Sequence, residues 1–141
     1  MSEFDDLTFI TNIKNYIKEN CDDLKEVEIF QFPEKPMFPI AIVSTNQATE
    51  RTQDLDSART NKFYSLSINI DVLTKSNNTI KNRYISCITI KNSIINLLKS
   101  SDYYHNLILS LDRNIPNLDS QVCRWRLTFE GLIDVKNNRI L

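Results

Sequence analysis

The chain has 141 residues, the usual size of one domain, and its 41% hydrophobic content is enough to bury a core. Seventeen Lys and Arg stand against 18 Asp and Glu, a net charge of −1, so no overall field draws the protein to DNA or to an anionic membrane. No apolar run approaches the ~20 residues that cross a bilayer, and the acidic opening Met1-Ser2-Glu3-Phe4-Asp5-Asp6 lacks the positive start of a secretory leader, which predicts a protein kept in a cytoplasm unless it leaves inside a larger particle.

Asp5 and Asp6 precede Leu7, Phe9, Ile10, Ile13, Tyr16 and Ile17, whose spacing follows one helical face. Acids in a first turn suit the positive end of the helix dipole, so a first helix is read over Asp5–Asn20. In Leu24–Phe32, Val27 and Ile29 alternate with Glu26 and Glu28, a short half-exposed strand. Pro33, Pro36 and Pro39 break the chain into a turn, and the apolar run Ile40–Ser44 reads as a second strand. Thr45–Asn61 is the most polar stretch and reads as a mobile loop or the tip of an extended hairpin.

Lys62–Thr74 gives the cleanest strand, Tyr64, Leu66, Ile68, Ile70 and Val72 alternating with Ser65, Ser67, Asn69 and Asp71. Asn78–Ser100 reads as a second helix with Tyr84, Ile88, Ile95 and Leu98 on one face and Cys87 and Ile94 beside them. Ile85, Ile90 and Leu97 widen that surface, which predicts cover on more than one side. Tyr103–Leu111 reads as a strand with Leu107, Leu109 and Leu111 inward, and Ile115-Pro116-Asn117 as a turn. Gln121–Val135 is a long strand, with Cys123, Trp125, Leu127 and Phe129 on one face and Arg124, Arg126, Thr128 and Glu130 on the other. Lys136-Asn137-Asn138 turns the chain into a short terminal strand, Arg139–Leu141. This order predicts an α+β fold: a mostly antiparallel sheet of about four to six strands with two helices packed on one face. No repeat or linker divides the chain, so residues 1–141 read as a single domain.

Few residues are equipped for chemistry. Gly131 is the only glycine, so there is no Gly-rich phosphate loop. Cys21, Cys87 and Cys123 are far apart, odd in number and without a CxxC pair, which argues against a disulfide framework or zinc site and for reduced side chains packed as small apolar groups. His105 is the only histidine; it has no second imidazole to share a metal, and no other histidine can serve as base for a serine or cysteine nucleophile. The carboxylate pairs Asp5-Asp6, Asp22-Asp23 and Asp54/Asp56 fall at a helix start, a turn and the polar stretch, which suits capping or solvation. The expectation is a protein with no catalytic role, no cofactor and no metal.

The wet face of the last long strand is more informative. Arg124, Arg126 and Glu130 stand on it at even spacing. Exposed arginine near aromatics is typical of protein interfaces and can also contact phosphates. If Lys62–Thr74 is the neighbouring strand, Arg124 or Arg126 pairs with Asp71 across the sheet, with Asn69 alongside.

Several segments of the second half stand in a familiar order. They are the strand Tyr64–Val72, the polar break Thr74-Lys75-Ser76-Asn77, a helix, then Ile115-Pro116-Asn117-Leu118-Asp119, the strand Cys123–Asp134 and the ending Asn137-Asn138-Arg139-Ile140. In these the chain resembles the tail terminator, or tail completion, proteins of long-tailed bacteriophages and related contractile particles. The strand carrying Phe129-Glu130-Gly131 after the Ile-Pro-Asn turn weighs most. The resemblance spans residues 61–141; the first helix and the polar stretch agree in position only.

The resemblance implies a small α+β subunit that forms a ring, commonly a hexamer. Such a ring caps the finished tail tube, ends its polymerisation and supplies the surface that joins the head. Contractile tails use a similar ring to engage the last sheath layer. The implied partners are other copies of the chain, the tail tube protein, the sheath where there is one, and a head–tail joining protein. The implied place is a virion tail or phage-tail-like particle assembled in the bacterial host cytoplasm, with no membrane and no specific nucleic acid. The family supplies no fixed binding residues, so the interface candidates come from exposure and charge: Arg51, Arg59, Arg124, Arg126 and Glu130. A head–tail connector or other tail-joining component is the alternative, followed by a small nucleic-acid-binding protein using Arg51, Arg59, Arg124 and Arg126. With the strand faced this way, Trp125→Ala is expected to unfold the domain at roughly 3–5 kcal/mol, and Arg126→Glu to spare folding and disturb assembly.

Overall fold

A computed structural model describes residues 5–45, 49–52, 62–75, 80–116 and 121–141; for 49–52, 62, 80, 81 and 83 the description is of the backbone alone. The elements are α1 (Asp6–Asn20), β1 (Glu26–Ile29), β2 (Ile40–Thr45), β3 (Thr49–Thr52), β4 (Lys62–Lys75), α2 (Ile80–Lys99), β5 (Ile108–Ile115), β6 (Val122–Asp134) and β7 (Arg139–Ile140). The seven strands form one sheet in the order β1-β2-β4-β6-β5, with β3 on the β2 side of β4 and β7 beside the end of β6. Among the described residues only β1 and β2 pair in parallel, and every other pair is antiparallel. The α+β fold expected from the element order is the one observed.

Asp5 caps α1 as the acidic start predicts. Its Oδ1 accepts the Leu7 and Thr8 amides at 3.1 and 3.3 Å, and its Oδ2 accepts the Thr8 hydroxyl at 2.6 Å. The Thr8 hydroxyl, then its amide, hold the Asp5 carboxyl below the ordinary value. Phe9, Ile10, Ile13 and Ile17 are buried, and α1 lies over β1 and β2. α2 lies over β4 and β6 and touches α1. Cys87, Ile90, Ile94 and Leu98 enter the same core as Ile13, Ile17, Val43, Ile68, Ile70, Leu127 and Phe129, so both helices cover one face of the sheet.

The second helix departs from expectation in its facing. Its buried residues are Cys87, Ile90, Ile94, Ile95 and Leu98, while Tyr84 and Ile85 are exposed, so it is not covered on several sides. Isoleucines on three sides leave the periodicity ambiguous, and contact with β4 and β6 selects the face. A fourth strand over Tyr103–Leu111 is also corrected. Residues 102–106 form turns, β5 begins at Ile108, and the irregularity between Leu109 and Leu111 shifts the register. Leu109 therefore keeps the helix face, while Leu111 falls beside Thr128 on the other. The polar stretch 45–61 is not loop throughout: Thr45 ends β2, and Thr49–Thr52 pairs with Lys62–Ser65. Residues 46–48 and 53–61, with the rest of the expected loop or hairpin tip, lie outside the described residues.

β4 and β6 pair antiparallel without a break from Phe63↔Asp134 to Lys75↔Val122. The register puts Ile68 opposite Phe129, Ile70 opposite Leu127 and Val72 opposite Trp125 beneath the helices. Gly131 lies on that face too, where an added Cβ would stand 2.7 Å from Leu107 Cδ2 and 3.3 Å from Ile140 Cγ2. The single glycine thus makes room for Leu107, not for a turn. Trp125 is half-buried at the rim, not enclosed. Its Nε1 donates to Asp112 Oδ1, Lys91 Nζ lies 5.1 Å from the ring centroid, and Tyr84 meets it edge-on at 5.6 Å.

Phe129→Ala is therefore expected to lower stability by about 3–5 kcal/mol and Trp125→Ala by only about 1–3 kcal/mol. Urea unfolding of both variants checks this, and the reverse order would overturn the strand facing.

A pH dependence follows from the turn after β6. Burial pushes the Asp134 carboxyl up. The Asn137 side-chain amide at 2.7 Å, the Asn137 backbone amide at 3.4 Å and Arg139 Nε at 3.4 Å outweigh burial and hold it below the ordinary carboxylate value. A carboxylate depressed on folding adds stability above its unfolded pKa, and loses it as pH falls through the folded one. Asp134→Asn should therefore flatten the fall in urea midpoint between about pH 5 and pH 3. An unchanged acid limb would remove Asp134 as its cause.

The open face of the sheet as candidate functional site

The face of the sheet away from the helices collects the sequence-predicted site residues. Period two along β4 and β6 turns Ser67, Asn69, Asp71, Arg124, Arg126, Thr128 and Glu130 to this side. Register places Asp71 opposite Arg126 and Leu73 opposite Arg124. Asp71 is only 6% exposed and receives both arginines. Arg126 Nε donates to its Oδ1 at 2.8 Å and Nη2 to its Oδ2 at 3.0 Å. Arg124 Nε donates to Oδ2 at 3.0 Å, and Arg124 Nη2 donates to the same oxygen. Hydrogen bonding to Asp71 raises the pKa of Arg126 further, so its proton is held firmly. The pairing expected with either arginine is thus made by both. The Thr128 hydroxyl donates to Asn69 Oδ1 at 2.7 Å and continues the polar row.

Beside this network lies an apolar wall. The connection from β1 to β2 must cross the sheet end because the two strands are parallel. Phe30 ends β1 in the left-handed region, φ 64°, while its amide still donates to the Val43 carbonyl at 2.9 Å. Farther along, Phe32 and Phe38 pack at 6.1 Å between centroids, and Lys75 Nζ lies 5.9 Å from the Phe38 ring. Phe30, Phe32, Ile42, Leu73, Asp71, Arg124 and Arg126 line a shallow recess of about 310 Å³. Two guanidinium groups on one carboxylate leave an excess positive charge at its floor. The recess can take a negative or polar group beside an apolar one.

The remaining candidates are scattered. Glu130 is exposed on the same face and makes no ion pair among the described residues. Arg51 pairs through its backbone with Phe63 in β3, and Arg59 lies outside the described residues. Sequence reasoning passed over Phe30, Phe32 and Arg113. The phenylalanines sit in a proline-rich segment read only as a turn, although three of them in nine residues was a usable signal. Arg113 fell beyond the expected strand, yet it stands opposite Arg126 in β5 and is exposed.

Cys87 is fully buried, burial pushes its thiol pKa well up, and its Sγ donates to the Val72 carbonyl at 3.4 Å. His105 lies in the turn before β5, its Nδ1 2.8 Å from the Ser101 carbonyl oxygen, and not at a strand start. Among the described residues no group of three His, Cys, Asp or Glu is placed to hold a metal.

The network alters the expectation for Arg126→Glu, which would set a second carboxylate against buried Asp71 and so disturb folding as well as assembly. Asp71→Ala should lower stability by about 1–3 kcal/mol, since two guanidinium groups lose their shared acceptor. Removing Arg124 and Arg126 as well should recover part of that loss. A neutral Asp71→Ala in urea titrations would show that the network holds nothing together.

No protein-family model matches the chain, and no curated protein matches it. Among solved structures the chain is similar to one from a particle described as the virion of native gene transfer agent (GTA), at 11% identity and a TM-score of 0.47. That alignment covers 91% of this chain and 83% of the other. At that TM-score the likeness assigns neither fold nor function.

Proposed function

We propose that the protein is a structural virion subunit of the tail terminator type. It forms a ring, most simply a hexamer, that caps a tail tube, ends its polymerisation and offers a joining surface for the head. One observation carries this reading. The segment that resembles the family, Ile115–Asp134, contains the strand that supplies Arg124 and Arg126 to the open sheet face. The resembling residues therefore build an accessible surface beside the core strand. That surface joins an ion network to exposed aromatics, a composition suited to protein contact.

The function so proposed needs no catalytic step, cofactor or metal. Its partners are other copies of the chain, the tube protein and, in a contractile tail, the sheath. A phosphate-binding role for Arg124 and Arg126 is less well supported, because Asp71 already occupies both guanidinium groups. A head–tail connector shares the same surface requirements and differs in its gene position, a terminator gene standing just upstream of the sheath or tube gene.

Negative-stain imaging and light scattering of the purified chain, alone and with tail tubes, test the reading. Rings in solution or density confined to tube ends are expected. A chain that is monomeric at every concentration and does not bind tube ends would overturn it.

A further inference from the structure

The two outer strands of the sheet are unlike in charge and opposite in direction. β1 bounds one side and β5 the other, and among the described residues no strand pairs with the outer edge of either. On the open face β1 presents Glu26 and Glu28, in register with Ile40 and Ile42. On the same face β5 presents Arg113, in register with Arg126. Glu28 and Arg113 make no ion pair among the described residues, whereas Glu26 Oε2 accepts the Met37 amide at 2.8 Å. The imbalance extends along the chain. Residues 1–34 hold nine carboxylates and three lysines, a charge of −6; the rest holds nine carboxylates and fourteen Lys and Arg, a charge of +5.

Strand direction follows from the pairing. β1 runs with β2, against β4, with β6 and against β5. Two copies set side by side in the same orientation therefore bring β1 of one against β5 of the next as an antiparallel pair, the more stable geometry. The open faces then continue one another, and residues on one face become cross-strand neighbours. The carboxylates of one copy meet the guanidinium group of the next. Exposed apolar side chains flank both edges: Phe30 and Met37 near β1, at 47% and 57%, and Ile108 at the start of β5, at 68%. A two-fold contact would instead set Glu28 near Glu28, or Arg113 near Arg113, and like charges oppose it.

We infer that copies of this chain associate head to tail, the Glu26/Glu28 edge of β1 in one docking antiparallel against the Arg113 edge of β5 in the next. This rests on the self-assembly proposed above and adds the contact that performs it. A head-to-tail contact is the kind that closes into a ring when its rotation allows. It also covers two sheet edges that would otherwise stay open as templates for aggregation.

Charge reversal at the two edges tests the contact. E28R sets an arginine in both edges, leaving only Glu26 against it on β1, and R113E makes both edges acidic; among the described residues neither Glu28 nor Arg113 is buried or ion-paired. Sedimentation velocity of each variant should show association weakened about tenfold or more. An equimolar mixture of the two should restore it, since every edge again faces its opposite. If the free chain is monomeric, the same comparison is read as loading of tail tubes in a pelleting assay. Thermal melts of both variants establish that they fold. Single variants that assemble like the wild type, or a mixture as dissociated as its components, would overturn the contact and leave self-assembly standing. A wild-type chain that assembles neither free nor on tubes would remove both.

Discussion

The pairing of β4 with β6 is the constraint on which the other features depend. It runs the full length of β6 without a slip. Because side chains alternate strictly across a strand, that register fixes two surfaces at once. One is the apolar floor for α1 and α2, with Ile68, Ile70, Leu127 and Phe129. The other is the polar row in which Asp71 lies within reach of both Arg124 and Arg126. A one-residue shift of β6 would turn Arg124 and Arg126 beneath the helices and Leu127 and Phe129 outward.

Asp71 illustrates how a buried charge is tolerated. A carboxylate at 6% exposure is costly unless its lone pairs are satisfied by charged donors. Here it accepts four hydrogen bonds from two guanidinium groups whose side chains remain about one-third exposed. The arginines thus stay partly solvated, which keeps their own desolvation small, while the acceptor between them is shielded from screening by salt. The expected result is a rigid floor under the recess. Phe30 and Phe32 stand over that floor because a parallel β1–β2 pair cannot be joined by a tight turn.

The sheet is closed on one face and open in two other ways. The helices cover one face; the opposite face carries polar and aromatic groups; and among the described residues no strand pairs with the outer edge of either outer strand. Surfaces of this kind suit a subunit whose neighbours complete it. The two outer edges differ in sign, with Glu26 and Glu28 on β1 and Arg113 on β5.

By itself the sequence determined the α+β class, the Asp5 cap of α1, the two faces of β4 and β6, and the Asp71–arginine pairing. Each follows from a local signal: helical spacing, a capping acid, or a period of two sustained over many residues. Three features waited for the tertiary structure. The buried face of α2 was open because Ile85, Ile88, Ile90, Ile94 and Ile95 surround the helix, and only contact with the sheet chose among them. The position of β5 depended on the irregularity after Leu109, which moves Leu111 and Arg113 to the open face and breaks the alternation on which the sequence reading relied. The parallel placement of β1, and with it the aromatic wall and the opposed edges, is a long-range pairing that no local pattern encodes. These are choices between nearly equivalent local arrangements, and packing free energy across the sheet decides them.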